Sequence, residues 1–199
     1  EIERLISNTF ALGVKLLNKN ELEVGSALID IGSEKISLGL FKNLALVHSI
    51  TLPIGVNHIT KDISKVCSLS IEESISIRNN IDFSFQNNQY IFDDNGFLKK
   101  NFFINSSFRK ISKNLIVNII KARLDEIFEI VKKQIILPGF NLNSGMSFLL
   151  VGGGSYLINI EKYCENFFGQ NVKKINQNNK EQENNLEKNF ASCLGALKI

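Results

Sequence analysis

Two glycine-bearing segments constrain this chain more than anything else in it: Ile29-Asp30-Ile31-Gly32 near the start and Leu149-Leu150-Val151-Gly152-Gly153-Gly154-Ser155 near the end. Each stands where a short apolar run stops, which is how a buried strand delivers a tight turn to a site. Glycines lack a Cβ, so the backbone N–H groups of such a turn can approach a phosphate closely. One turn of this kind carries little information. Two of them, separated by a meander of strands and several helices, point to two phosphate-facing loops on one scaffold.

The segments between the turns read as an α/β architecture. Ile6, Phe10, Val14 and Leu17 recur at helical spacing, and Asn18-Lys19-Asn20 reads as a polar turn that ends the helix. Ser26–Ile31, Ile36–Phe41 and Leu44–Leu52 read as strands joined by turns short enough for hairpins. Beyond Pro53-Ile54-Gly55, residues Ile59, Ile63 and Val66 share a helix face. Ser70-Ile71-Glu72-Glu73 is a capping-box pattern that opens a second helix running to about Asn79. From Asp82 to Ser107 short β-like runs alternate with turn signals. The longest helix runs from Ser112 to Ile136, with apolar residues at i, i+3 and i+4 until Pro138-Gly139 stops it. Ser147–Val151 is an unbroken apolar run, as in a strand covered on both faces. A helix over Leu157–Phe168, a short strand near Val172–Ile175, a polar loop over Gln177–Asn189 and a last helix over Phe190–Lys198 complete the pattern.

Composition narrows the function classes. With 44% apolar and 22% charged residues the chain reads as an ordinary globular protein, and a net charge of +3 argues against a nucleic-acid footprint. Cys67, Cys164 and Cys193 are far apart and outside any CxxC pair, so neither a disulfide framework nor a zinc site is expected, and a reducing cytoplasm fits best. His48 alternates with apolar neighbours in a strand, His58 falls at a turn before a helix, and their spacing matches no metal cage. The basic residues Lys99, Lys100, Arg109 and Lys110 fit either a solvated face or a surface that meets an acidic peptide. No apolar stretch reaches about 18 residues. The chain opens without Met inside what reads as a helix already in progress, which is the pattern of a fragment.

These residues resemble a known family. The run Ala27-Leu-Ile-Asp-Ile-Gly-Ser33, then Leu40-Phe41-Lys42, then Pro53-Ile-Gly-Val-Asn-His-Ile-Thr-Lys-Asp-Ile63 is similar to the second half of FtsA, the actin-like protein of bacterial cell division. Ile111-Ser112, Arg123-Leu-Asp-Glu-Ile-Phe-Glu129, Val151-Gly-Gly-Gly-Ser155 and Ala191–Leu197 follow in the family's order. The stretch from Pro53 to Thr60 separates FtsA from other actin-like ATPases, whereas the two glycine turns are common to the superfamily.

The resemblance implies an actin-like (ribonuclease H-like) ATPase fold, second half, with an inserted small α+β subdomain. Residues 1–23 would be the trailing helix of a preceding half, 24–60 and 111–199 the large subdomain, and 61–110 the small one. The implied cofactors are ATP and Mg²⁺, with Asp30 facing the nucleotide-bound Mg²⁺ through water. The implied nucleotide-binding set is Asp30, Gly32, Ser33, Arg78, Gly152, Gly153, Gly154 and Ser155. The implied partners are the C-terminal tail of the tubulin-like protein FtsZ, further copies of the chain in actin-like filaments and other division proteins. Lys99, Lys100, Arg109 and Lys110 are the partner-binding candidates. The implied location is cytoplasmic, on the inner face of the membrane at the division septum, reached through an amphipathic helix that this stretch does not include.

Several positions depart from the family pattern. Ser33, Glu34 and Lys35 stand where Gly-Gly-Thr is usual, which removes open N–H donors and adds a carboxylate, with Lys35 offsetting part of its charge. Ile75 stands where a ribose-binding Glu is common, and Arg78 where Lys is common. The expectation is therefore a scaffold with at most weak ATPase activity. The alternatives are a scaffold of pilus assembly, or an active ATPase or kinase of the same superfamily.

Overall fold

The computed structural model describes residues 5–86, 88–142, 145–174 and 190–198. Its centre is a five-stranded sheet in the order β3-β2-β1-β4-β5, built from β1 (Ser26–Ile31), β2 (Ile36–Lys42), β3 (Ala45–Leu52), β4 (Ser147–Val151) and β5 (Val172–Lys174). The meander β1-β2-β3 is antiparallel, as the short turns require, while β4 joins β1 in parallel and β5 joins β4 in parallel. The β2–β3 turn is the tight pair Asn43-Leu44, both at positive φ, whose backbone N–H groups donate to the carbonyls of Glu23 and Leu22. Val47 is an extra residue in β3 where the register shifts, a bulge on an edge strand.

Alternation along the strands fills both faces of the sheet. Ile29, Ile31, Ile36, Leu38, Leu40, Phe148 and Leu150 point into the larger core, and Leu28, Phe41, Leu149 and Val151 into the smaller one. The larger core is covered by α3 (Val56–Cys67), α4 (Ile71–Asn80), α5 (Lys113–Ile136) and α6 (Ile160–Phe168). The smaller core is covered by α1 (Asn8–Leu16) and α7 (Ala191–Ala196), the two ends of the described chain packed on each other. The result is a three-layer α/β arrangement with β1 at its centre.

Capping chemistry explains the starts of α4 and α5. Ser70 accepts from the Glu73 N–H while Glu73 accepts from the Ser70 N–H, the expected capping box of α4. Ser112 caps α5, and the Arg123 guanidinium forms a two-pronged pair with Asp62 of α3 at 2.5 and 3.0 Å.

The structure differs from the sequence-based expectation at five places. α1 starts at Asn8, with Ser7 before it in extended geometry, so Ile6 precedes the helix and is not on its face. Asn18 does not simply end α1: it caps a further helix, α2 (Lys19–Val24), in a reciprocal box with Glu21. Val66 is exposed, and Cys67 takes its place on the buried face of α3 beside Ile59 and Ile63. Among the described residues the β-like runs between 82 and 107 form only the isolated bridges Phe92–Leu98 and Phe97–Ser112, because aromatic burial and not strand pairing organises that stretch. Gly153–Tyr156 forms a 3-10 turn, so α6 begins at Ile160 and not at Leu157. The expected loop over Gln177–Asn189 lies outside the described residues.

Candidate functional site

Because β1 and β4 are adjacent and parallel, with Asp30 paired to Val151, both glycine turns leave the same edge of the sheet. Ligands of open α/β sheets bind outside the carboxyl ends of the strands, where strand direction or order changes. Here the change falls between the antiparallel meander and the parallel pair. A cleft of about 270 Å³ opens at that point, lined by Asp30, Val151, Gly152, Gly153, Ser155 and Tyr156, with α1 and α7 contributing the far wall.

The Gly152 turn requires its glycine. Gly152 has φ +81°, and a Cβ there would stand 2.7 Å from the Ile31 carbonyl and against the Asp30 carboxylate. The next residue, Gly153, has open space around its Cα. Gly154 packs under Ile31 and Val56, outside the cleft lining. Ser155 donates its hydroxyl to the Gly152 carbonyl at 2.7 Å, which locks the 3-10 turn. Asp30 accepts an amide N–H from Asn8 at 3.3 Å. Burial raises its carboxyl above the ordinary value, and the Lys35 charge and the Asn8 contact oppose that rise.

The Gly32–Lys35 turn is arranged differently. The Gly32 N–H donates to the Lys35 carbonyl at 2.9 Å, while the Gly32 and Ser33 carbonyls accept from the Val56 and Asn57 N–H groups at the start of α3. Glu34 is exposed and accepts from Asn57 and Lys61 of α3, so it turns toward that helix. Asn57 in turn accepts from Arg78 of α4 at 3.0 Å, and Arg78 also donates to Thr60 at 2.8 Å. Burial lowers the Arg78 pKa. Of the residues singled out in the sequence, Asp30, Gly152, Gly153 and Ser155 therefore meet in one cleft. Gly32, Ser33, Gly154 and Arg78 lie outside its lining.

The donors around Asp30 bear on a divalent ion. Among the described residues Asp30 is the one carboxylate in the lining, its neighbour Asn8 presents an N–H to it, and no three His, Cys, Asp or Glu cluster as a metal cage. That set fits at most a water-mediated contact to an ion carried by a phosphate, and it does not form a site for Mg²⁺ by itself.

The four basic candidates are spread over different tasks. Arg109 donates to the Cys67 carbonyl and, at 2.5 Å, to the Ser68 carbonyl, closing the end of α3. Lys99 donates to the Gln89 carbonyl at 2.6 Å, and Lys110 stands over the Phe97 ring at 5.5 Å. Lys100 opens a 3-10 turn over Lys100–Phe102. The same region holds a feature absent from the sequence reading. The fully buried Glu73 carboxylate accepts from the N–H groups of Ile104, Asn105 and Ser106 at 2.6–2.9 Å and from the Ser106 hydroxyl at 2.6 Å. Burial works to raise its pKa, but the Ser106 hydroxyl and the Ser70, Ser106 and Asn105 N–H groups outweigh that and hold it at about 2. Asn8, Leu12, Tyr156, Ala191 and Ser192 were also missed as cleft residues. Tyr156 ends the 3-10 turn after β4, and the other four follow from the packing of α1 on α7, for which no local motif exists.

A family model described as "Cell division protein FtsA" matches residues 27–195. The FtsA proteins of Bacillus subtilis and Agrobacterium fabrum are 26% and 24% identical over 178 and 172 residues, covering 89% and 86% of this chain. The chain spans only 40% and 39% of their lengths. Among solved structures, the archaeal actin homologue Ta0583 superposes with a TM-score of 0.58 at 16% identity, over 96% of this chain and 53% of its own. MreB5 of Spiroplasma citri bound to AMPPNP gives 0.61 at 16%, over 96% and 57%. A PilM–PilN pilus biogenesis complex gives 0.66 at 18%, over 98% and 52%. At such identities the structural likenesses show the fold, which is actin-like.

Proposed function

The chain belongs to the cell division protein FtsA family, and from that premise we propose that it is part of an actin-like nucleotide-binding scaffold linking FtsZ filaments to the membrane at the division septum. The observation that carries the nucleotide part is the meeting of Asp30 and Gly152–Ser155 at the carboxyl ends of two adjacent parallel strands. ATP would bind with its sugar and base along Gly152–Tyr156 and its phosphates toward Asp30. By the family resemblance Asp30 would face the nucleotide-bound Mg²⁺ through water. ATP would act as a conformational cofactor with slow turnover at most. In isolation residues 1–199 should hold ATP weakly, because in the family a first phosphate loop from the other half of the fold would supply further contacts to the nucleotide. Micromolar ATP affinity by calorimetry would refute that expectation.

The partner part rests on residues 61–110, read as a small subdomain that receives the acidic FtsZ tail, with the large subdomain formed by 24–60 and 111–199. Self-association into filaments, contacts with other division proteins and a peripheral position on the inner membrane face belong to the same reading. A short tail that orders on binding should show micromolar affinity that falls as salt rises. Fluorescence anisotropy with a labelled tail peptide tests this on the wild type and on a variant with Lys99, Lys100 and Lys110 changed to Glu. Arg109 is spared because it closes the end of α3. Capture unaffected by the charge reversal, or absent from the wild type, would count against the partner reading.

A further inference from the structure

The 3-10 turn after β4 holds one tyrosine at the cleft with nothing against its ring. The geometry points to Gly153 and Tyr156 as a stacking slot, in which the Tyr156 ring face, beside the bare backbone of Gly153, takes the base of the nucleotide and favours purines over pyrimidines. The inference rests on the reading of the cleft as a nucleotide site and names the residues that would select its base.

Helical period sets the slot. Gly153–Tyr156 is a 3-10 segment, and in such a turn residues at i and i+3 lie one above the other. Gly154, Ser155 and Leu157 are buried, Gly154 against Ile31 and Val56, whereas Gly153 and Tyr156 are both exposed and both line the cleft. The two therefore share the face of the turn that looks into the cleft. A Cβ added at Gly153 would meet nothing within 4 Å, the Tyr156 ring included. The space one turn before the tyrosine is thus open, and open space beside an aromatic face is what a planar base requires.

The ring is also unclaimed by the fold. Tyr90 packs edge-on against Phe102, and Tyr163 packs against Phe85 and Phe128 while its hydroxyl donates to Asp125. Among the described residues Tyr156 has no ring partner and its hydroxyl has no hydrogen bond, and it is 42% exposed. It is also the one aromatic residue of the lining among them. The Ser155 hydroxyl donates to the Gly152 carbonyl, so what the side chains of this turn offer a base is a ring face and not a set of groups that read its edge. Stacking strengthens with the area of overlap, which favours the two-ring purines.

The test uses the ¹⁵N-labelled 199-residue chain with ¹³C-labelled tyrosine rings and follows adenosine, cytidine and ATP by NMR shifts. Adenosine should move the Tyr156 ring signals upfield, and the Gly153 and Tyr156 amides with them, while the Tyr90 and Tyr163 rings stay in place. Tyr156→Ala should weaken adenosine and ATP by about fivefold, the low end for one base–aromatic stack, and Tyr156→Phe should restore both to within about twofold of wild type. Gly153→Leu leaves the tyrosine in place but fills the slot, and it should weaken both by a similar factor in a chain whose distant amide signals are unchanged. Cytidine should bind about threefold more weakly than adenosine. A Tyr156 ring that stays in place while cleft amides answer ATP, adenosine affinity undiminished in Tyr156→Ala or Gly153→Leu, or cytidine as tight as adenosine would overturn the stacking slot and leave the nucleotide reading standing. Cleft amides silent to both ATP and adenosine would remove the nucleotide reading, and the slot with it.

Discussion

The two glycine turns that leave the same edge of the sheet put their backbone to opposite uses. At Gly152–Ser155 the chain swings through a left-handed glycine into a 3-10 turn whose residues line the cleft. At Gly32–Lys35 the carbonyls are bound to the start of α3, the Gly32 N–H is bound within the turn, and Glu34 is tied to Asn57 and Lys61. A glycine turn after a strand is therefore not by itself a phosphate cradle. What matters is whether a neighbouring element has already taken its donors and acceptors. Glu73 supplies the filled counterpart, where three successive N–H groups of residues 104–106 surround a carboxylate from the chain itself.

The sharpest way to break this contrast is Gly152→Ala. Left-handed strain and the approach to the Ile31 carbonyl should together cost about 3 kcal/mol in urea denaturation. A loss under about 1 kcal/mol would mean that the turn relaxes and that its shape is not imposed by the strand pair. Glu73→Gln comes next, at about 2.5 kcal/mol, because an amide cannot accept from all the donors that surround the carboxylate. Its pH dependence has a definite sign. The folded pKa is depressed, so the wild type keeps this contribution above the ordinary carboxyl value of 4.5 and loses it as pH falls toward about 2. Thermal melts across that window should slope less in Glu73→Gln, and parallel slopes would remove the anion-nest account.

Gly55→Ala probes the closed turn. A Cβ there would stand 2.6 Å from the Gly32 and Ser33 carbonyls, and separating the turn from α3 should cost about 2 kcal/mol. Faster amide hydrogen exchange at Val56 and Asn57 should accompany the loss, and unchanged exchange would mean that the closure contributes little. The smallest effect is expected at Gly153→Ala, which has open space and right-handed helical geometry. Stability should stay within about 1 kcal/mol of wild type, with any gain coming from a less flexible unfolded chain. A large loss there would erase the distinction between adjacent glycines on which the open-turn description depends.

How much was legible in the sequence follows from the range of the forces involved. The limits of β1 and β4 were readable because short, mostly apolar runs that stop at a glycine leave few alternatives. The starts of α4 and α5 were readable because caps act over three residues. Asn18 shows where local signals fail: the same polar triplet serves to stop one helix or to cap the next, and only the reach of Glu21 back to it decides. Val66 and Cys67 show the same limit on a helix face, where one residue of rotation is set by packing against α5.

The sequence by itself determined the alternation of strands and helices, the two turns and their glycines, because these depend on side-chain periodicity and on backbone sterics within a few residues. Only the tertiary structure decided that both turns leave one edge, since that follows from the parallel pairing of β1 with β4 across more than a hundred residues. It alone brought Asn8 and Ser192 from opposite ends of the described chain to the same cleft. It also left the Gly152 turn facing the cleft and joined the Gly32 turn to α3. Hydrogen bonds between segments distant in sequence leave no periodic trace, and which backbone groups remain for a ligand is known only when every neighbour is in place.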